Sequence, residues 1–122
     1  GYAGDDYIDT YFYSVDVTNA DTYPFLIHTE AIPLDNAISF EVDYIGFRTD
    51  TTGIGKRQTL AKYAANDGGV ISVANTAVAL NSSNYFVTAS IVQNGSNLEL
   101  QIDAPGGNVT YSFWIKIRKI NK

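Results

Sequence analysis

The chain has 122 residues, the size of one ordinary domain, and its 45% apolar and 17% charged residues exclude a disordered or collagenous polymer. No apolar run approaches the roughly 18–20 residues of a membrane-spanning helix, and the absence of cysteine removes disulfides, thiolate metal sites and cysteine nucleophiles. A net charge of −5 repels phosphate and argues against a nucleic-acid partner.

Gly, Asn, Thr and Ser are abundant, whereas the good helix formers Glu, Met and Leu are sparse. Tyr, Phe, Ile and Val suit a pleated, half-buried surface, so the expectation is all-β. Residues 1–9 read as an N-terminal arm on a single domain spanning 1–122. Alternation with period two then places the strands. In the first, Tyr11, Tyr13, Val15 and Val17 share one side, with Thr10, Ser14 and Asp16 opposite. In the apolar run over 23–29, Pro24 marks a strand start or a sheet edge, because proline brings no N–H to a ladder. Phe40, Val42 and Tyr44 alternate with Ser39, Glu41 and Asp43; the apolar phase then slips to Ile45 and Phe47, which predicts a β-bulge beside Gly46.

Residues 57–65 fit a strand or a short helix by propensity. A strand is preferred, because Asn66-Asp67-Gly68-Gly69 reads as a turn into the strand Val70-Ile71-Ser72-Val73. Tyr85 to Gln93 leads through Asn94-Gly95-Ser96-Asn97 to Leu98, Leu100 and Ile102, a hairpin whose Asn-Gly supplies positive φ angles. After a turn at 104–108, the last strand puts Tyr111, Phe113, Ile115 and Ile117 on one face. Seven to nine such strands predict an antiparallel β-sandwich, jelly-roll-like.

Signals for chemistry are few. His28, the only histidine, sits mid-strand between Ile27 and Thr29 and reads as a surface or hydrogen-bonded residue, not as a base. Gly53-Ile54-Gly55-Lys56 fails as a phosphate loop, with Asp50 where the first glycine belongs and Arg57 where Ser or Thr belongs. Asp5, Asp6 and Asp9 read as solvated acids before calcium ligands, and Glu41 and Asp43 as surface polar residues before a glycosidase pair. Asn81, Asn94 and Asn108 open glycosylation-acceptor triplets of a kind that this composition produces by chance. No cofactor, no metal site and no enzymatic activity are expected.

Charge and aromatics are distributed unevenly. Residues 1–47 carry nine acids and no Lys or Arg, a charge of −9, against +4 for 48–122. Within one domain the halves neutralise each other across the sheets; the alternative is oppositely charged faces meeting in neighbouring subunits. Tyr11, Phe12 and Tyr13 put aromatics on both faces of the first strand, and Trp114 lies opposite Phe113 and Ile115, between Ser112 and Lys116. A strand apolar on both sides lies in a doubly covered sheet or at an interface between chains. For Trp114 three readings stay open: a cap on the core under a loop, an interface, or a flat platform for a sugar ring.

Several motifs succeed one another from Tyr44 to Ile117: Phe47-Arg48-Thr49-Asp50, Lys62-Tyr63-Ala64, Asn66-Asp67-Gly68-Gly69, the hairpin from Asn94 to Ile102, Gly106-Gly107 and Trp114-Ile115-Lys116-Ile117. In this order they resemble a β-sandwich domain of phage virion proteins, especially tail fibres, tailspikes and related host-recognition proteins. Ala104-Pro105-Gly106-Gly107 departs from the fuller glycine turn usual there.

The resemblance implies a non-enzymatic domain on the virion surface, assembled as a homotrimer and binding a host-surface glycan or protein receptor, without membrane insertion. Loops 50–56, 74–84 and 104–108 would then touch the host, with Asp50, Thr51, Thr52, Asn81, Asn84, Asn108 and Trp114 as ligand-binding candidates. Tyr11, Phe12 and Tyr13 would form the subunit contact. Two alternatives stand beside it. One is a secreted carbohydrate-binding module or adhesin with Trp114 as its platform; the other is a structural virion protein, a capsid decoration or baseplate part, without ligand.

Overall fold

The computed structural model describes residues 8–52, 55–82, 88–103 and 109–122, with the backbone course alone for 75–82. Among them there are eight strands: β1 (Ile8–Val17), β2 (Phe25–Ala31), β3 (Asn36–Arg48), β4 (Gly55–Asp67), β5 (Val70–Ser82), β6 (Ala89–Asn94), β7 (Asn97–Ile102) and β8 (Tyr111–Asn121). They form two antiparallel sheets, a larger one ordered β1-β8-β3-β4-β5 and a smaller one ordered β2-β7-β6. β1 pairs with β8 and β2 with β7; β3, β4 and β5 run on as a meander, and β6 folds back on β7.

The core lies between the sheets, where alternate residues of each strand point inward. Phe40, Val42 and Tyr44 of β3, Phe113, Ile115 and Ile117 of β8, and Leu60 and Ala64 of β4 belong to one buried cluster with Leu98, Leu100 and Ile102 of β7 and Ile91 of β6. Removing such side chains from water stabilises the fold by about 1.5–3 kcal/mol each. Polar links also join the layers: the Lys62 Nζ donates to the carbonyl of Ile91 at 2.8 Å.

Turn chemistry sets two registers. Gly68 and Gly69 form the two-residue turn between β4 and β5 with φ of +61° and +96°, angles at which a Cβ is strained. The turn is tied down by side chains, since the Gly68 N–H donates to Asp35 Oδ1 and the Gly69 N–H to Asn66 Oδ1, both at 2.9 Å. Buried Asn66 also donates to the carbonyl of Ile32 at 3.1 Å, so its side chain serves both functions of its amide. In the β6–β7 hairpin Asn94 pairs with Asn97, and Gly95 alone takes a positive φ, +60°. The loop is therefore Gly95-Ser96 and not the expected Asn-Gly.

Further expectations are revised. No bulge interrupts β3 at Gly46: its register runs unbroken against both β4 and β8. The apolar phase changes because Ile45 and Phe47 belong to a second apolar surface outside the sandwich. Residues 74–82, read as part of a loop, continue β5. The strand expected from Tyr85 is seen from Ala89, and 83–87 lie outside the described residues. Residues 57–65 are strand, and Ile8 and Asp9 of the supposed arm already pair with Ile120 and Lys119.

Candidate functional site

Alternation sends the residues between the core positions to the outer face of the larger sheet. There the registers of β1, β8, β3 and β4 align Ser14, Trp114, Ile45 and Arg57 in one cross-strand row. The adjacent row holds Phe12, Lys116, Asp43 and Thr59. Trp114 is 50% exposed, so it is not a cap on the core; Phe12 and Phe47 are also exposed. The Phe47 and Trp114 rings meet edge to face, centroids 5.9 Å apart at 69°. Gly55, opposite Phe47, leaves that ring its place, since a Cβ there would stand 3.3 Å from the ring and 3.2 Å from the Gly46 carbonyl oxygen.

A groove of about 540 Å³ opens over this surface, lined among others by Phe12, Ser14, Ile45, Arg57, Trp114 and Lys116. Its chemistry is an indole face with apolar neighbours and a rim of hydroxyl, carboxylate, guanidinium and ammonium groups. Such a surface stacks on the apolar face of a sugar ring while its rim meets the hydroxyls. Asp43 on that rim accepts a hydrogen bond from Thr59 Oγ1 at 2.6 Å. Along the same face Arg118 pairs with Glu41, Nη2 to Oε2 at 3.0 Å.

The loop candidates are not part of this lining. Asp50, in the turn after β3, is held by Arg48 through two hydrogen bonds, one of them Nη2 to Oδ2 at 2.8 Å. The guanidinium lowers the pKa of that carboxyl. Thr51 and Thr52 are exposed beside it. Asn81 stands in β5 opposite Arg57, a register position that extends the Trp114 row. Asn84 and Asn108 lie outside the described residues.

Tyr11 and Tyr13 do not share the outer face with Phe12. They pack against the core in a polar seam between β1 and β2, the edge strands of the two sheets. A register shift between Leu26 and His28 turns the imidazole inward. There His28 Nδ1 lies 2.6 Å from the Tyr13 hydroxyl and Nε2 lies 3.1 Å from Glu30 Oε1, while the Tyr11 ring packs over it at 4.5 Å. Lys119 closes the seam with Nζ at 3.2 Å from Glu30 and 3.1 Å from Asp9. Burial, then the charges of Glu30 and Asp9, raise the Tyr11 pKa. Burial alone would lower Lys119, but the hydrogen bonds and charges of Asp9 and Glu30 outweigh it and its pKa is raised.

Sequence reasoning missed this network because its members are far apart in the chain. The one local signal is the spacing of His28 and Glu30, which puts both on one face of a strand. The charge split is resolved the same way: basic residues of β8 meet acids from the first 47 residues within the domain. Among the described residues no cluster of His, Cys, Asp and Glu is arranged to hold a metal ion, and no helix is long and apolar enough to cross a membrane.

No protein-family model and no curated protein sequence matches the chain. Its structure is similar to a tailspike protein of Acinetobacter baumannii phage AM24, with a TM-score of 0.54 and 8% identity over 93% of this chain and 26% of that one. It is also similar to the tailspike of Acinetobacter baumannii bacteriophage Fri1, a capsular polysaccharide depolymerase, with a TM-score of 0.46 and 12% identity over 95% of this chain and 18% of that one. The chain thus has a tailspike-like fold and spans about a quarter or less of the proteins it resembles. The expectation of no enzymatic activity is corrected: one of these structures is described as a capsular polysaccharide depolymerase.

Proposed function

We propose that the chain is a domain of a phage tail protein, displayed on the virion, whose larger sheet contacts polysaccharide of the host surface through the groove at Trp114. The observation that carries this reading is the half-exposed indole in a groove with polar groups on its rim. A core residue would be covered, and an indole exposed by chance has no reason to sit between a second aromatic ring and a row of hydrogen-bonding side chains. The likeness of fold to a phage tailspike supports the setting. Assembly as a homotrimer belongs to the same proposal, and Phe12, 74% exposed on the edge strand β1, places the subunit boundary at that end of the groove.

Binding of the purified protein to isolated host-surface polysaccharide tests the site. Trp114→Ala abolishes binding while the far-ultraviolet spectrum stays unchanged; retention of binding by that variant overturns the reading. Light scattering at several concentrations tests the assembly, a concentration-independent monomer being the result that removes the trimer.

A further inference from the structure

The groove carries two cationic side chains that no carboxylate among the described residues pairs with. Of the eight Lys and Arg residues, Arg48 is held by Asp50, Arg118 by Glu41, Lys119 by Asp9 and Glu30, and Lys62 by the Ile91 carbonyl. The other four, Lys56, Arg57, Lys116 and Lys122, have neither an ion pair nor a side-chain hydrogen bond among the described residues. This is unexpected in a chain where acids outnumber bases 13 to 8. Asp43, the acid next to Lys116 in the register, turns its carboxylate to Thr59 instead. Of these four, Arg57 and Lys116 line the groove.

Their placement matches the dimensions of a sugar. Arg57 is on β4, two strands from Trp114 on β8, which at about 4.8 Å per strand puts the backbones some 10 Å apart. Lys116 is two residues from Trp114 along β8, so its Cα lies about 7 Å away on the same face. A pyranose stacked on the indole has a ring substituent within reach of either side chain. A carboxylate suits them: the guanidinium fork binds it through two parallel hydrogen bonds, and the ammonium adds a point charge.

We infer that the groove takes an acidic polysaccharide, with a uronate-type carboxylate held by Arg57 and Lys116 while the ring stacks on Trp114. This rests on the reading of the groove as a polysaccharide site and adds the class of sugar. Trp114 is the only tryptophan, so its fluorescence reports directly on occupancy.

The test titrates the full chain with hyaluronan, alginate and polygalacturonate, each native and carboxyl-reduced, at fixed ionic strength. At least one native polymer shifts the Trp114 emission, and carboxyl reduction weakens its binding about tenfold or more. Arg57→Gln and Lys116→Gln each weaken the native polymer comparably and leave the reduced one unchanged, whereas Lys122→Gln, away from the groove, changes neither. Equal binding of native and reduced polymers overturns the charge assignment and leaves the polysaccharide reading standing. Absence of binding by every polymer overturns both. A change of oligomeric state in Arg57→Gln or Lys116→Gln, read by light scattering, makes a second copy of the chain the occupant and overturns the inference.

Discussion

The Tyr13 hydroxyl and His28 Nδ1 meet at 2.6 Å across the seam between the two edge strands, and the other imidazole nitrogen faces Glu30 at 3.1 Å. The seam joins β1 and β2 beside the core, and Lys119 is its charged anchor.

Lys119→Met is expected to cost about 2–3 kcal/mol, less than a fully buried pair because Asp9 is half exposed. Urea unfolding measures it. Adding Glu30→Gln to that variant recovers part of the loss, because the carboxylate left without its ammonium is then neutral.

Neighbouring residues on β8 are expected to behave as opposites. Phe113 is fully buried, so Phe113→Ala loses about 3–5 kcal/mol. Trp114→Ala, on the outer face, loses under about 1 kcal/mol. Thermal unfolding of the two variants, side by side, separates the core from the groove.

Alkaline pH weakens the fold through Tyr44. Burial raises its pKa to about 12 from 10.0, so the folded state holds the phenolic proton more tightly than the unfolded chain does. Stability from this source is complete below pH 10 and is lost as pH rises from about 10 to about 12. Its size is on the order of 3 kcal/mol. Tyr44→Phe gives up the 2.6 Å hydrogen bond to Gln58 and is less stable at pH 8, but its stability falls less steeply between pH 10 and 12. Urea midpoints of both proteins at pH 8, 10 and 11.5 measure the difference.

Gly69→Ala places a side chain at a φ of +96°, in open space but on a disfavoured backbone. A loss of about 1–2 kcal/mol is expected from conformation alone. Comparison with Gly55→Ala is informative. That variant pushes on the Phe47 ring and alters Trp114 emission, which Gly69→Ala leaves unchanged.

Much of the sandwich is legible in the sequence because alternation reports burial directly. Val17, Phe40, Leu98, Leu100, Ile102 and Ile117 all lie in the core, in the phase that their spacing implies. Legibility fails where alternation has two causes. The slip from Tyr44 to Ile45 and Phe47 has the pattern of a bulge, yet it records a strand with apolar residues on both faces. Trp114 was recognisable as lying off the core face, but its partners were not, since Ile45, Phe47 and Arg57 reach it only through the order of β8, β3 and β4. The seam at His28 was hidden for a similar reason: it joins residues from three separated stretches, and the shift that turns the imidazole inward has no Gly or Pro to mark it.

The position of β8 has a consequence for how the molecule comes into being. Strand β8, the last of the described strands, lies inside the larger sheet, between β1 and β3. Until residues 111–121 have left the ribosome, the first strand has no ladder to join and β3 shows an open edge. Pairs such as Ile8 with Ile120 span almost the entire chain, and contacts of that separation form late and slowly. The domain therefore becomes whole only once its final strand has been made, and a chain cut short before β8 leaves two strand edges bare at once, each able to recruit another molecule.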